Sequence, residues 1–467
     1  MSQTPLKVDQ EFLVTIKRIG INGEGIGYYK KQAVFIPFAL VGEEVVAKCT
    51  RVAGGYAEAE LIRVKKKSPH RCKAACEVYG QCGGCQLQHM KYDEQLRVKH
   101  DMLEQAIERY TNLDLDKFEI LPTIGMETPF NYRNRAQMPV GYDQDGVIAG
   151  FYSMNSRQLV YVSHCDVQYE PINNVVNTIV DLYDEYEVFA YSPKTKKGTA
   201  RHIMVRMGHV SEEIQVVLVM ANNNFKGAKR LAREVMSQHP EVKSVFLNVN
   251  TENTHEILGK EMIHLAGEET ITDELGKLKF NLSPRAFYQL NSEQTVKLYD
   301  EVKKAAGLTG TQKVVDAYCG VGTIGQWLAD GAAEVRGVDT TRSAITDAKA
   351  NAQLNKIDNT YYAVGEAEKV VPQWINDGFK PDVVVVDPPR TGLGVNLMDM
   401  LKRVQPETIV YVSCNPSTLA KNLKELSARY DIAYIQPVDM FPQTSHVEAV
   451  VKLVKKKRLN KGKRKAN

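Results

Sequence analysis

Cys414 closes an apolar run, Ile409-Val410-Tyr411-Val412-Ser413, and Asn415-Pro416 follows it. The run reads as a buried strand, so the thiol stands where a strand opens into a loop. A core cysteine is usually a small hydrophobe; at a strand end it is placed to be a nucleophile. One apolar run earlier, DVVVVDPPR ends on Asp387-Pro388-Pro389-Arg390. Its two prolines make a stiff turn that holds Asp387 at the strand's mouth. Downstream, Glu448 sits among Val447, Ala449 and Val450. A carboxylate in apolar surroundings needs a reason, either an edge position facing water or a chemical task. His446 is a competing base, though a structural histidine is the simpler reading.

These residue types suit one reaction class. A pyrimidine C5 is too weak a nucleophile to attack a sulfonium methyl group unaided. A thiolate adding at C6 makes C5 enolate-like. A carboxylate then removes the C5 proton so that the thiol can leave.

The glycine loop supplies the donor side. In VVDAYCGVGTIG (314–325), Gly320, Gly322 and Gly325 match G-x-G-x-x-G between a strand and a helix. Asp339 ends the next strand, RGVD, where a carboxylate can accept from two ribose hydroxyls. This much fits a nicotinamide dinucleotide and S-adenosylmethionine equally. The DPPR turn favours the methyl donor. Enzymes that methylate exocyclic amines of bases follow a similar turn with a stacking aromatic; here Arg390 takes that place, which speaks for a differently activated substrate.

A separate cluster, CKAACEVYGQCGGC, places Cys72, Cys76, Cys82 and Cys85 within one short segment. Spacing alone makes a four-cysteine zinc site the default, with an iron–sulfur cluster as the competitor.

The elements that must carry these residues follow from periodicity. VTIKRIG, AVFIPFA and EEVVAKC, with glycine-rich turns at NGEGIG and VAGGY, predict a small OB-like barrel over 1–67. A mixed α+β region over 68–280 contains a helix near 93–112. From 281 to 454, strands at Lys313–Val315, EVRGVD, DVVVVD and TIVYVS alternate with helices, predicting an α/β, Rossmann-like, doubly wound sheet. In such sheets the strand ends face one ligand crevice, so Asp387 and Cys414 should share it.

The 467 residues allow two or three domains. No apolar run reaches membrane length, and the N-terminus lacks a signal peptide's apolar stretch, so a cytoplasmic protein with reduced thiols is expected. The net charge of +4 is uneven: the tail 455–467 has eight Lys or Arg and no acid, and Arg63–Lys73 has six and no acid. Both runs suit phosphate contacts, or are solvated surface.

Taken together, the donor loop, DPPR, SCNP and Glu448 resemble the RNA uracil-C5-methyltransferases, and FNLSPRAFYQLN (280–291) is similar to that family's entry into its catalytic domain. The resemblance spans nearly the whole chain. It implies donor binding by Gln289, Tyr318, Gly320, Gly322, Asp339 and Asp387, with Glu366 a lesser candidate for the adenine side. It makes Cys414 the nucleophile and Glu448 the base. Tyr318 stands where Phe is common and Asp339 where Glu is common. The resemblance also implies a 4Fe-4S cluster rather than zinc, held by Cys76, Cys82, Cys85 and the remote Cys165, with Cys72 left over. The barrel looks like a TRAM domain. Barrel and cluster together resemble the 23S ribosomal RNA branch, the enzyme acting as a monomer on free RNA or an assembly intermediate. The transfer RNA T-loop uridine, a non-catalytic RNA-binding protein and a dehydrogenase stay as alternatives.

Overall fold

The structure is a computed structural model that describes residues 6–144, 146–154, 156–252 and 256–457. Residues 458–467, most of the basic tail, lie outside the described residues. The chain separates into two compact units, one formed by 1–102, 124–296 and 439–446, the other by 103–123, 297–438 and 447–467. No described helix is long and apolar enough to cross a membrane.

Among the described residues, the first unit begins with a closed barrel in the order Glu11–Ile19, Gly25–Tyr29, Gln32–Ile36, Tyr56–Lys66, Glu44–Ala53. The first strand alternates exposed and buried residues, as a half-buried strand must. Only part of NGEGIG is a turn. Gly25 and Gly27 lie inside a strand, because a Cβ on either would meet Ala39 O at 2.5 Å or Val14 Cγ2 at 2.6 Å.

The cysteine segment clamps this barrel. Glu43, fully buried, accepts from Arg71 at 2.6 and 2.7 Å and from Leu40 N and Ser68 N. Burial opposes its ionisation, but these donors outweigh that and hold the carboxyl below its ordinary range. Arg71 also donates to Phe38 O at 2.6 Å, and the Phe38 ring packs edge-on against Tyr79 and His89. The same unit holds a seven-stranded sheet from Glu261–Gly267 to Leu159–Tyr161, covered by helices Glu170–Glu185 and Ala228–Gln238.

The second unit is built on one sheet, ordered Thr360–Val364, Glu334–Asp339, Lys313–Ala317, Val383–Val386, Thr408–Ser413, Glu448–Lys455, Tyr430–Val438, Glu119–Ile120. The first five strands are parallel. Val383–Val386 is buried at every residue, as a strand covered on both faces requires. The order reverses between Lys313–Ala317 and Val383–Val386, and crevices in such sheets open at that reversal. Beside Thr408–Ser413, where a dinucleotide-binding sheet continues in parallel, runs the antiparallel strand Glu448–Lys455.

Candidate functional site

In the second unit the register brings Cys414 and Glu448 together. Ser413 pairs with Ala449 and Val412 with Val450, so Cys414 and Glu448 each lie one residue beyond the last pair at the same end of the ladder, close enough for the Glu448 charge to act on the thiol. Asp387 follows the adjacent parallel strand. All three are electrostatically coupled. Burial, then the charges of Glu448 and Asp387, push the Cys414 thiol up to about 11, while Arg390 pulls it down. Burial, then Asp387, hold the buried Glu448 carboxyl well above its ordinary range, again against Arg390. Desolvation lifts Asp387 to about 7.

Asn415-Pro416 does more than end the strand. Asn415 caps the helix Pro416–Leu426, accepting from Ser417 N at 3.0 Å, with Pro416 at the first helical position. Its Nδ2 donates to Arg390 O at 3.1 Å, and Thr418 Oγ1 donates to the same carbonyl at 3.3 Å. Asn422 Oδ1 accepts from Leu393 N at 3.0 Å and Tyr411 OH at 2.8 Å. The loop after DPPR is thus fastened to the helix that starts at the thiol. Gly392 (φ +77°) permits this approach: a Cβ there would meet Asn422 Oδ1 at 2.6 Å. Thr418 and Asn422 carry no sequence signal of their own; the Asn-Pro cap does.

On the donor side, Tyr318 is held in the left-handed region (φ 68°), an uncommon state for a bulky residue. Its N–H donates to Val338 O at 3.0 Å. Asp339 accepts from Gly320 N at 3.1 Å and Thr341 N at 2.8 Å. A carboxylate has about four acceptor positions, so two stay available for hydroxyls. Gly320 and Gly322 both have positive φ, and a Cβ on Gly322 would meet Tyr362 OH at 2.8 Å. Asp316 is a residue that sequence reasoning missed, although it stands in the quoted VVDAYCG. Fully buried, it accepts from Gly325 N at 2.8 Å, and its Oδ1 has no partner among the described residues. Burial raises it to about 8, with Asp387 and Asp339 adding to the shift against the Gly325 bond. Glu366 precedes the helix Ala367–Asn376 and pairs with Lys369 at 2.5 Å.

Two residues expected at the methyl-transfer site, Gln289 and His446, fall in the first unit. Gln289 accepts through its carbonyl from Asn134 Nδ2 at 2.8 Å, and the His446 ring packs edge-on against Phe441.

The first unit also gathers thiols. Cys76, Cys82, Cys85 and Cys165 line a cavity of about 70 Å³ together with Tyr79 and Arg133; Cys72 does not line it. A water-sized sphere needs roughly 10–15 Å³, so the space suits a group larger than one small ion. Among the described residues no three His, Cys, Asp or Glu side chains are grouped to hold a metal ion. Cys76, Cys82 and Cys165 each accept a backbone N–H from two residues on, namely Val78, Gly84 and Val167. Gln88 bonds Cys85 with its side chain and accepts from Cys76 N at 3.0 Å. Cys72 donates to Gln88 O at 3.4 Å, and Cys76 shares a side-chain hydrogen bond with the Asp166 carboxylate, so a donating posture is not particular to Cys72. Burial, not a shortage of donors, lifts Cys85 to about 12 and Cys165 to about 11.

Comparison with known proteins gives concordant similarities. The family model for tRNA (uracil-5-)-methyltransferase matches residues 91–456, and that for the TRAM domain matches residues 5–62. The chain is 50% identical to an RNA methyltransferase of Bacillus cereus, over 97% of this chain and 99% of that one. It is 49% identical to an RNA methyltransferase of Halalkalibacterium halodurans, over 96% and 97%. Among solved structures, the tRNA (uracil-54, C5)-methyltransferase of Pyrococcus abyssi in complex with S-adenosyl-L-homocysteine matches with a TM-score of 0.74 and 29% identity, covering 94% of this chain and 99% of that one.

Proposed function

Because the chain belongs to the tRNA (uracil-5-)-methyltransferase family of S-adenosylmethionine-dependent RNA methyltransferases, we propose that it methylates C5 of a uridine in 23S ribosomal RNA, with Cys414 as nucleophile and Glu448 as base. The observation that carries the chemistry is the placement of Cys414 and Glu448 at one end of the same antiparallel ladder, beside Asp387.

The target uracil leaves its stack to enter the crevice. The Cys414 thiol releases its proton to solvent and the thiolate sulfur bonds to C6, sending the C5–C6 electron pair toward the O4 enolate. C5 then takes the methyl group of S-adenosylmethionine, which departs as S-adenosylhomocysteine. Glu448 accepts the C5 proton, the C5–C6 double bond re-forms, and the bond from sulfur to C6 breaks. A carboxylate with a raised pKa holds an abstracted carbon proton better than an ordinary one does. Arg390 offsets the negative charge that Cys414, Glu448 and Asp387 share. Tyr318, Gly320, Gly322, Asp339 and Asp387 bind the donor; the part of Gln289 is carried by the resemblance alone. We assign methyl transfer to 281–454 and RNA holding to the barrel (1–67) and the central region (68–280).

We further infer that Cys76, Cys82, Cys85 and Cys165 hold a 4Fe-4S cluster. Their shared cavity, which Cys72 does not line, and the N–H···S bond to Cys82 support it. The reaction is redox-neutral, so the cluster's contribution is to hold this segment and the barrel clamped to it.

The substrate is decided by methylating purified 23S and transfer RNA and mapping the modified nucleotide. The Pyrococcus enzyme, whose barrel-to-end match is nearly complete, favours a second reading, the T-loop uridine of transfer RNA. Modification of transfer RNA alone overturns the ribosomal assignment and leaves the chemistry standing.

A further inference from the structure

Arg133 is the one basic residue among those lining the four-thiol cavity. Its backbone is pinned on both sides: its N–H donates to Val167 O at 2.8 Å, and its carbonyl accepts from Tyr169 N at 3.1 Å. The backbone is therefore fixed at the cavity wall, and the side chain lines the cavity. Its Nε–H is buried and has no hydrogen-bond partner among the described residues. A guanidinium N–H left unpaired in a cavity wall is costly unless something in the cavity accepts it. The acid on the same wall, Asp166, lies 3.4 Å from His164 Nε2.

We infer that Arg133 donates its Nε–H to a sulfur of the cluster proposed above and offsets the negative charge of the ligated centre. The inference rests on the cluster reading. A doubly positive cluster core bound by four thiolates is a dianion, and one-electron reduction makes it a trianion. A neighbouring cation and an N–H···S bond stabilise both states, the more negative one most, so they raise the reduction potential and slow loss of iron. Arg133 is thus a tuning and retention residue, separate from the methyl-transfer machinery.

The test uses the full chain prepared anaerobically, as wild type, Arg133→Met and Arg133→Lys. Iron and sulfide content, the visible band, the midpoint potential under dithionite titration, and iron release to a chelator are measured. Arg133→Met is expected to lower the potential and to release iron roughly tenfold faster or more. Arg133→Lys, which keeps the charge without the planar donor, should fall between. A methionine variant that folds by circular dichroism yet retains no cluster supports the same conclusion; one that does not fold leaves the decision to the lysine variant. Wild-type potential and release rate in the loaded variants overturn the inference. A wild-type protein that takes up no iron overturns the cluster reading itself.

Discussion

Cys414 and Glu448 stand where two antiparallel strands part, each one residue beyond the ladder's final pair of Ser413 with Ala449. Directly opposed residues in such ladders have Cα atoms about 4.5–5.5 Å apart. In the proposed reaction a nucleophile and a base act on adjacent atoms, C6 and C5, and two residues at the same end of one ladder suit that demand. The reaction also separates their tasks, which the variants should expose. Cys414→Ala is expected to give neither methylated RNA nor a protein–RNA adduct. Glu448→Gln should still form the adduct and transfer the methyl group, but release product about 10²–10⁴-fold more slowly. Adduct is read on denaturing gels with labelled RNA. Wild-type turnover by Glu448→Gln would remove the carboxylate from the mechanism.

The charges around the thiol set its pH dependence. Burial, Glu448 and Asp387 raise Cys414 to about 11, so in the free enzyme little thiolate exists at neutral pH. Alkylation of the Cys414 peptide by iodoacetamide, followed by mass spectrometry, should accelerate as pH rises toward that value. Removing the Glu448 charge in Glu448→Gln should shift the curve to lower pH, and Arg390→Met should shift it higher. Identical curves for all three proteins would show that the charges do not govern the thiol.

Asn422 ties the loop after DPPR to the strand Thr408–Ser413 without touching the reacting atoms. Asn422→Ala frees Leu393 N and Tyr411 OH at a cost of about 1–3 kcal/mol. Turnover is expected to fall by about tenfold or more as the DPPR turn loosens, while the apparent unfolding temperature drops by a few degrees. An unchanged kcat would mean that the turn holds its place alone.

The two arrangements of thiols make opposite predictions for single substitutions. Cys165→Ala should abolish the broad visible absorption of the purified protein, and Cys72→Ala should keep it. The reverse pattern would restore the four-cysteine segment as the ligand set.

Asp316 offers a stability test with a definite sign. Its folded-state pKa of about 8 lies above the usual 3.8, so the native state holds a proton that the unfolded chain has lost. The associated stability is complete below pH 3.8 and is lost as pH rises through about 8. Asp316→Asn lacks this loss. Its unfolding temperature relative to wild type should rise between pH 5 and 8.5, by an amount worth on the order of a few kcal/mol. A constant difference across that range would mean that Asp316 is ionised in the folded protein.

Much of this molecule could be read from its residues. Strand periodicity located DVVVVD and TIVYVS, and the observed strands Val383–Val386 and Thr408–Ser413 lie inside them. Such strands are legible because a covered parallel strand must be apolar on both faces. Glycine spacing located the donor loop, since glycine takes the positive φ found at Gly320 and Gly322 without the steric cost other residues meet. Other features were hidden. The glycines of NGEGIG pack against a neighbouring strand, a constraint that comes from distant residues. The Asn422 fastening, the unpaired oxygen of Asp316 and the placement of Arg133 likewise depend on partners far away in sequence.

The sequence by itself determined which groups were available: a strand-end thiol, a carboxylate in an apolar run, a glycine loop, and more cysteines than one cluster needs. Residue type and local period are properties of short segments, so they survive without a fold. The tertiary structure alone decided which groups meet. A shift of one residue in the ladder between Thr408–Ser413 and Glu448–Lys455 would send Glu448 to the other face of the sheet. The choice of Cys165 over Cys72 to line the cavity was likewise made by chain topology, because proximity in sequence carries no information about which side chains converge in space.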